Sequence, residues 1–451
     1  MYRICFFLIL IGFLASCEDT SVKPSPYTGT YTRINTFTKD KMTDQYFWAD
    51  EVKDKNIEAD LDPATYFANM KYAGDPWSHI TKSQGLGEIA DASGNENGFG
   101  YNLNFWEDGG YIIAEVNFVY SNSPAAKAGL KRGDIITRMN GKKITTENYT
   151  DLYYNNTLSI GLSEDEMSEP YKTLELTAQN FTINPILEYG VITHDERKVG
   201  YVAYSNFVYR NATSLLQLND VFQKLKEQGI EELILDLRYN TGGYMLAVKR
   251  LCSLIAPEEV VESEEILIHK RWNDAYQKKY ADTPEMMEER FDKTVPTDAR
   301  LNLPRLWVIT SKVTASASEL LISALSPYME VHVIGETTVG KNMGGITFTP
   351  PENDLQGWNI SLISLLYTNS EGRSVRNGIV PEIPVAETFP HRESLGDPKE
   401  PLLAVVLEMI PGKIEATMPA RSMSTSKYRQ IIPERVKANS VVLFENQEEG
   451  K

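Results

Sequence analysis

The stretch "LWVITSKVTASASELLISA" (306–324) decides how the second half of the chain is read. It opens with an uninterrupted apolar run, the pattern of a strand buried on both faces. Small hydroxyl residues follow, and an apolar helical run begins at Ser316. Serine or threonine at that place caps a helix in most proteins. The other reading makes one serine a nucleophile. A nucleophilic serine needs a base that is neutral near pH 7, and no histidine stands in this stretch.

Working outward, strands and helices alternate. "VGYVAYSNF" (199–207), a helix over 214–228, "ELILDLRYN" (232–240), a helix over 244–255, "RLWVIT" (305–310), a helix over 316–327 and "EVHVIGET" (330–337) form a βα series. The near-continuous apolar strands predict an α/β domain with its sheet covered on both faces. A charged insert at 257–304 should add one strand, "EEILIH", and a surface helical flap able to cover a cleft. Strands are expected again at "GITFTP" (345–350) and "NISLISLLYTNSEGRSV" (359–375), before "NGIVPEIPV" (377–385).

Two loops of this series carry chemistry. "DLRYNTGG" (236–243) puts Gly242 and Gly243 at a βα turn, where backbone N–H groups can approach a ligand. "GETTVGKNMGG" (335–345) carries one lysine, Lys341, among glycine and apolar residues. An exposed or ion-paired loop lysine is the ordinary outcome. As a base it must be neutral, and lowering its pKa from about 10.4 to about 7 takes roughly 4–5 kcal/mol, which burial can supply.

The bulk numbers narrow the class. The chain has 451 residues, 42% apolar and 24% charged, enough for two or three packed units. A formal net charge of −17 leaves no basic surface for nucleic acid. The start, "MYRICFFLILIGFLASC" (1–17), has an apolar core too short to span a bilayer and reads as a secretory signal over 1–16. Residues 18–32 are rich in Pro, Ser, Thr and Gly and read as a tether. Of three cysteines only Cys252 lies beyond the leader, in the apolar "RLCSLIA", so it is read as core and no disulfide is expected. The five histidines (79, 194, 269, 332, 391) show no metal-ligand spacing, and no metal or cofactor is expected.

Residues 33–92 suggest short helices in a small N-terminal domain, with Trp48, Phe67 and Trp77 as core and "DPATYFANM" as a capped helix. Residues 98–183 are β-rich, with "GFGYNL" (98–103), "GGYIIAEVNFV" and the Gly/Pro-punctuated "SPAAKAGLKRGDIITRMNG" (123–141). Residues 396–451 read as a helix and a polar tail without assigned function.

Several of these segments resemble known families. "LASC" (14–17) is similar to a bacterial lipobox, which implies lipidation of Cys17 and anchoring of an exported, periplasm-facing or surface protein to a membrane. "SPAAKAGLKRGDIITRMNG" resembles the PDZ pattern. That implies a peptide-carboxylate loop at Gly98, Phe99, Gly100, Tyr101, Asn102 and Leu103, beside an exposed edge strand that pairs with an extended peptide.

Together "TASASE", "DLRYNTGG", "GETTVGK" and "GIVPEIPV" resemble the C-terminal processing (tail-specific) serine proteases over roughly residues 98–390. The resemblance implies a crotonase/ClpP-like βα catalytic domain over 184–395, a Ser–Lys dyad and hydrolysis of protein or peptide C-terminal tails. Carried over, the nucleophile is Ser316, the base Lys341, and the oxyanion hole the N–H of Ala317 with that of Gly242 or Gly243. The pattern departs at Gly345, where many members have a glutamine that orients the lysine. Asn342 is one replacement. The other reading of that departure is a weak or inactive pseudo-protease, a scaffold that binds peptides through its PDZ groove.

Overall fold

The computed structural model describes residues 26–57, 62–82, 95–209, 212–355, 357–390, 393–410, 428–432 and 442–443. The expected signal and Cys17 lie outside them.

Helix α1 (Pro26–Asp44) begins inside the stretch read as a tether. Proline is tolerated in a helix's first turn, where the N–H it lacks would have no partner. Helix α2 (Pro63–Met70) is capped by Asp62, whose carboxylate accepts the Thr65 N–H at 2.9 Å. Tyr46, Tyr66, Phe67 and Met70 are buried in the apolar cluster of the large α/β unit, so the N-terminal domain shares that unit's core. Phe67 is core as expected, and Trp48 packs at the margin. Trp77 does something else. Strand β1 (His79–Lys82) carries the chain into a sheet of the α/β unit.

The PDZ unit runs through β2 (Asn95–Gly98), β3 (Tyr101–Asp108), β4 (Tyr111–Val119), α3 (Pro124–Ala128), β5 (Ile135–Met139), β6 (Lys142–Lys143), α4 (Asp151–Tyr154), β7 (Thr157–Ser163), β8 (Lys172–Thr177) and β9 (Gln179–Thr182). β3 and β4 close through Gly109 and Gly110, both at positive φ (59° and 88°), which a two-residue hairpin turn requires. Ser123 caps α3, and Gly129 stops it in the left-handed conformation at φ 84°. Gly100 has φ 79°, and a Cβ there would lie 2.1 Å from the Cβ of Ser123. Only glycine lets the loop Gly98–Leu103 lie against this cap.

The α/β unit contributes β10 (Ile186–His194), β11 (Arg197–Tyr204), α5 (Ala212–Glu227), β12 (Glu232–Asp236), α6 (Met245–Ile255), α7 (Glu258–Glu262), β13 (Ile266–Trp272), α8 (Asp274–Lys279), α9 (Pro284–Met287), β14 (Glu288–Arg290), β15 (Arg305–Thr310), α10 (Ala317–Leu325), β16 (Glu330–Gly335), β17 (Met343–Phe348), β18 (Trp358–Asn369), β19 (Ile383–Pro384) and α11 (Pro401–Met409). The helices expected at 214, 244 and 316 begin at 212, 245 and 317.

The main sheet has the order β10-β11-β12-β15-β16-β19, parallel from β11 onward. All five residues of β12 are buried, as its apolar run requires. Successive side chains alternate between faces. Val202, Leu233 and Leu235 join the cluster under α5, α6 and α10, while Tyr201, Ala203 and Ile234 join the one under α11. Cys252 lies fully buried in the first, and burial pushes its thiol far above the ordinary range.

The second sheet runs β14-β13-β18-β17-β21, with β21 (Val442–Leu443) at one edge and β1 paired to β18. Here the insert departs from expectation. It is not a surface flap, because Trp272, Tyr276 and Tyr280 pack into the shared core. Asn273 Nδ2 also donates to the carbonyls of Asp44 and Tyr46 at 2.9 and 3.0 Å. Aromatic burial pins it to the N-terminal domain.

Under the sheet, the buried Arg238 guanidinium bonds Glu400 at the start of α11 (2.6 and 2.9 Å), Asp236 (3.0 Å) and Glu387 (3.3 Å). Removing one partner from a buried charged cluster of this kind costs about 3–5 kcal/mol. The cluster fixes the strand end that leads into Gly242 and Gly243.

Candidate active site

Ser316 stands between β15 and α10 with φ 61° and ψ −113°, a conformation that disfavours any side chain. Such strain persists only where the surroundings over-determine it. Here they do. The Thr314 hydroxyl donates to Leu237 O (2.9 Å), the Ala315 N–H to Asn240 O (3.3 Å), and the Ser318 hydroxyl to Asn240 O (3.2 Å). The Ser316 N–H donates to Glu319 Oε2 at 2.7 Å.

Glu319 is the residue that ties the site together. Its buried carboxylate also accepts the Lys341 N–H (2.9 Å), the Gly340 N–H (2.6 Å) and the Thr338 hydroxyl. Burial pushes its pKa up, and these hydrogen bonds pull it back. One side chain thus holds the backbone of both Ser316 and Lys341. Tyr367 repeats the link from the other side: its hydroxyl donates to Lys341 O (2.6 Å) and lies 3.4 Å from Ser316 O. The spacing Ser316-x-x-Glu319 was a readable signal, because glutamate three residues after a helix-capping serine reaches back to the cap N–H.

The two side chains expected to act together are free of hydrogen bonds at their tips. Ser316 Oγ and Lys341 Nζ are both buried and carry no hydrogen bond of ordinary geometry. Lys341 is 1% exposed. Burial lowers its pKa well below the ordinary lysine value, against a smaller upward pull from Asp75 and Glu319. Asn342 does not hold the amine, and its own Oδ1 is buried without a partner. Instead Nζ sits 3.8 Å from the centroid of the Trp77 ring.

Trp77 is a site residue that the sequence reading placed in the core. The Asp75 carboxylate fixes its loop, accepting the N–H groups of Trp77 (2.8 Å) and Ser78 (3.1 Å) and the Tyr46 hydroxyl (2.7 Å). The Ile363 N–H on β18 donates to Ser78 Oγ at 2.9 Å, clamping the loop to the second sheet. A ring face attracts an ammonium by about 0.5–2 kcal/mol, less than removal of the ion's water costs. The ring therefore favours the neutral amine on balance. His79, two residues on, is also largely buried. Its Nδ1 bonds Trp77 O at 2.9 Å, and burial lowers its pKa. No sequence spacing links residue 77 to residue 341, so only the fold brings Trp77 to the lysine.

The glycine turn faces the serine. A Cβ on Gly242 would lie 2.9 Å from Ser316 Cβ, and one on Gly243 would lie 2.4 Å from Phe207 O. Of the two glycines expected as alternatives for the second oxyanion donor, Gly242 gives its N–H to Asn240 Oδ1 at 2.9 Å. The side chain of Asn240 satisfies that donor while bracing the turn. Ala317 opens α10, where the first N–H groups lack helical partners and the helix dipole is positive.

The loop Gly98–Leu103 leads into β3 as expected, but the edge beyond it is not open. Strand β20 (Arg429–Ile431), from the tail left without function, pairs antiparallel with β3. A cavity of about 90 Å³ joins the two units, lined by Leu103 and Tyr153 on the PDZ side, Thr241 and Val313 beside the glycine turn and serine loop, and Ile431. Arg132 of the PDZ unit bridges them, donating to the Tyr239 hydroxyl at 2.7 Å.

Comparison with known proteins agrees with this architecture. Residues 198–385 match peptidase family S41, residues 115–153 a PDZ domain, and residues 33–79 the peptidase S41 N-terminal domain. The carboxy-terminal processing protease CtpB of Bacillus subtilis is 28% identical over 322 residues, 69% of this chain and 60% of the relative's length. The carboxyl-terminal-processing protease of Synechocystis is 23% identical, across 75% of this chain and 74% of its own. A crystal structure of a Bacteroides fragilis protein assigned to the S41 proteases superposes with a TM-score of 0.68 at 23% identity, covering 83% of this chain and 97% of that one. With its N-terminal, PDZ and α/β units in the matching order, the chain belongs to peptidase family S41.

Proposed function

We propose that the protein is a serine endopeptidase that cuts exposed polypeptide tails with Ser316 as nucleophile and Lys341 as base. The observation that carries this reading is the pair of buried atoms without a hydrogen bond, Ser316 Oγ and Lys341 Nζ, on residues whose backbone N–H groups share one carboxylate. Neutral Nζ takes the hydroxyl proton as Oγ attacks the scissile carbonyl carbon. The oxygen, now negative, accepts the N–H groups of Ala317 and Gly243. The C–N bond then breaks, and the Lys341 ammonium returns the proton to the leaving amine. Water attacks the acyl-serine ester and gives a proton to Lys341; as the ester C–O bond breaks, Lys341 passes that proton to the departing Oγ, which restores the hydroxyl and the neutral amine. The PDZ unit supplies the tail: its groove communicates with the glycine turn through the cavity at Leu103, Thr241 and Val313. The lipobox-like "LASC" supports export and anchoring of this peptidase to a membrane through Cys17.

The test is incubation with an unfolded polypeptide, with products mapped by mass spectrometry, alongside labelling by a serine-reactive phosphonofluoridate. Fragments and stoichiometric label on Ser316 are expected. A chain that makes no fragments and takes no label is a scaffold instead. Gly242→Ala should slow hydrolysis roughly 100-fold, the scale of a reacting group misplaced by about an ångström, because a Cβ there would lie 2.9 Å from Ser316 Cβ and displaces the serine. Its circular dichroism spectrum should stay native. A wild-type rate in Gly242→Ala would remove the glycine turn from the site.

A further inference from the structure

The PDZ edge already holds a strand of this chain. Arg429, Gln430 and Ile431 pair with Glu107, Trp106 and Phe105. Side chains fix the register. The Arg429 guanidinium bonds the Glu107 carboxylate, the Tyr428 hydroxyl bonds Glu166, and the Tyr428 ring meets Phe389 edge-on at 5.0 Å. Ile431 packs on the PDZ core, and Ile432 reaches the cavity that leads to Thr241 and Val313. Because the pairing is antiparallel, the segment advances from Glu107 back toward Leu103 and the Gly98–Leu103 loop. A peptide docking by strand addition with its C-terminal end at that loop would follow the same course.

We propose that Tyr428–Ile432 is an internal ligand of the PDZ edge, and that a substrate tail docks only after displacing it. This rests on the reading of the PDZ unit as the tail-binding module. The segment also describes the ligand the edge accepts: an extended peptide with a basic residue opposite Glu107 and an aliphatic residue two positions later. A tethered ligand competes at an effective concentration up to about millimolar, so a free peptide meets a groove that is mostly occupied.

The test uses the full chain carrying Ser316→Ala, so that binding is read without cleavage. Fluorescence anisotropy would follow a fluorescein-labelled Tyr-Arg-Gln-Ile-Ile peptide. Arg429→Glu and Ile431→Asp each weaken the internal strand and leave β3 intact, and each should tighten peptide binding at least about tenfold. Hydrogen exchange at Phe105–Glu107 should quicken in both variants and slow again when peptide is added. Equal or weaker peptide binding in both variants, with exchange at β3 raised, would overturn the proposal. It would make the segment a fixed strand of the PDZ sheet. Failure of the peptidase reading shows separately, as absent phosphonofluoridate labelling of Ser316 in the chain that retains the serine.

Discussion

Ser316→Ala and Lys341→Met should each reduce hydrolysis of an unfolded polypeptide by roughly 10⁴–10⁶-fold, and the double variant should be no slower than the singles. Groups that act as one unit behave this way. Lys341→Arg should be equally inactive, since a guanidinium stays protonated. The variants should differ in stability. Lys341 is buried and its amine pKa is lowered by that burial, so the unfolded chain binds more protons there than the folded one. Stability contributed at this position therefore rises with pH between the lowered folded value and the ordinary one near about 10.4, and at pH 7 the lysine is a net cost. Lys341→Met should raise the Tm at pH 7 while abolishing activity. A Tm that falls, with the fold otherwise intact, would mean that the amine is charged and paired.

Trp77→Ala is the second large effect. Removing the ring lets water reach Nζ, 3.8 Å away in the native protein, and the lysine pKa returns toward its ordinary value. Each unit of rise above the assay pH costs about tenfold in neutral base, so a loss of roughly 10–100-fold at pH 7 is expected. The loss should shrink as pH rises. Trp77→Phe should keep most of the rate, because a smaller ring still excludes water. A merely structural role would predict the same fractional loss at every pH. The kcat/KM profiles of the two variants distinguish these outcomes.

The α/β scaffold was legible because its strands are buried on both faces and read as apolar runs; "ELILD" and "RLWVIT" leave no alternative period. The serine loop and the glycine turn were legible through their resemblance to the family's motifs, since small residues before a helix are by themselves an ordinary cap. Contacts made between distant segments were not legible. Trp77 looks like any core aromatic until β1 carries its loop to Lys341. Asn240 looks like a turn residue until its side chain takes the Gly242 N–H. The insert at 257–304 read as surface because charge dominates its composition, whereas Trp272, Tyr276 and Tyr280 decide its burial. The strand at Arg429–Ile431 is too short to show a period, and only the edge it meets defines it.

The central claim is that a neutral Lys341 amine activates Ser316 in a pocket closed by Trp77. The pH dependence of Ser316 modification by a small phosphonofluoridate, followed by mass spectrometry, tests it most directly because no substrate tail or PDZ contact is required. The expected result is one ascending limb centred well below about 10.4, abolished by Lys341→Met and displaced upward by Trp77→Ala. A limb centred near that ordinary lysine value, or a profile that Lys341→Met leaves unchanged, would contradict it.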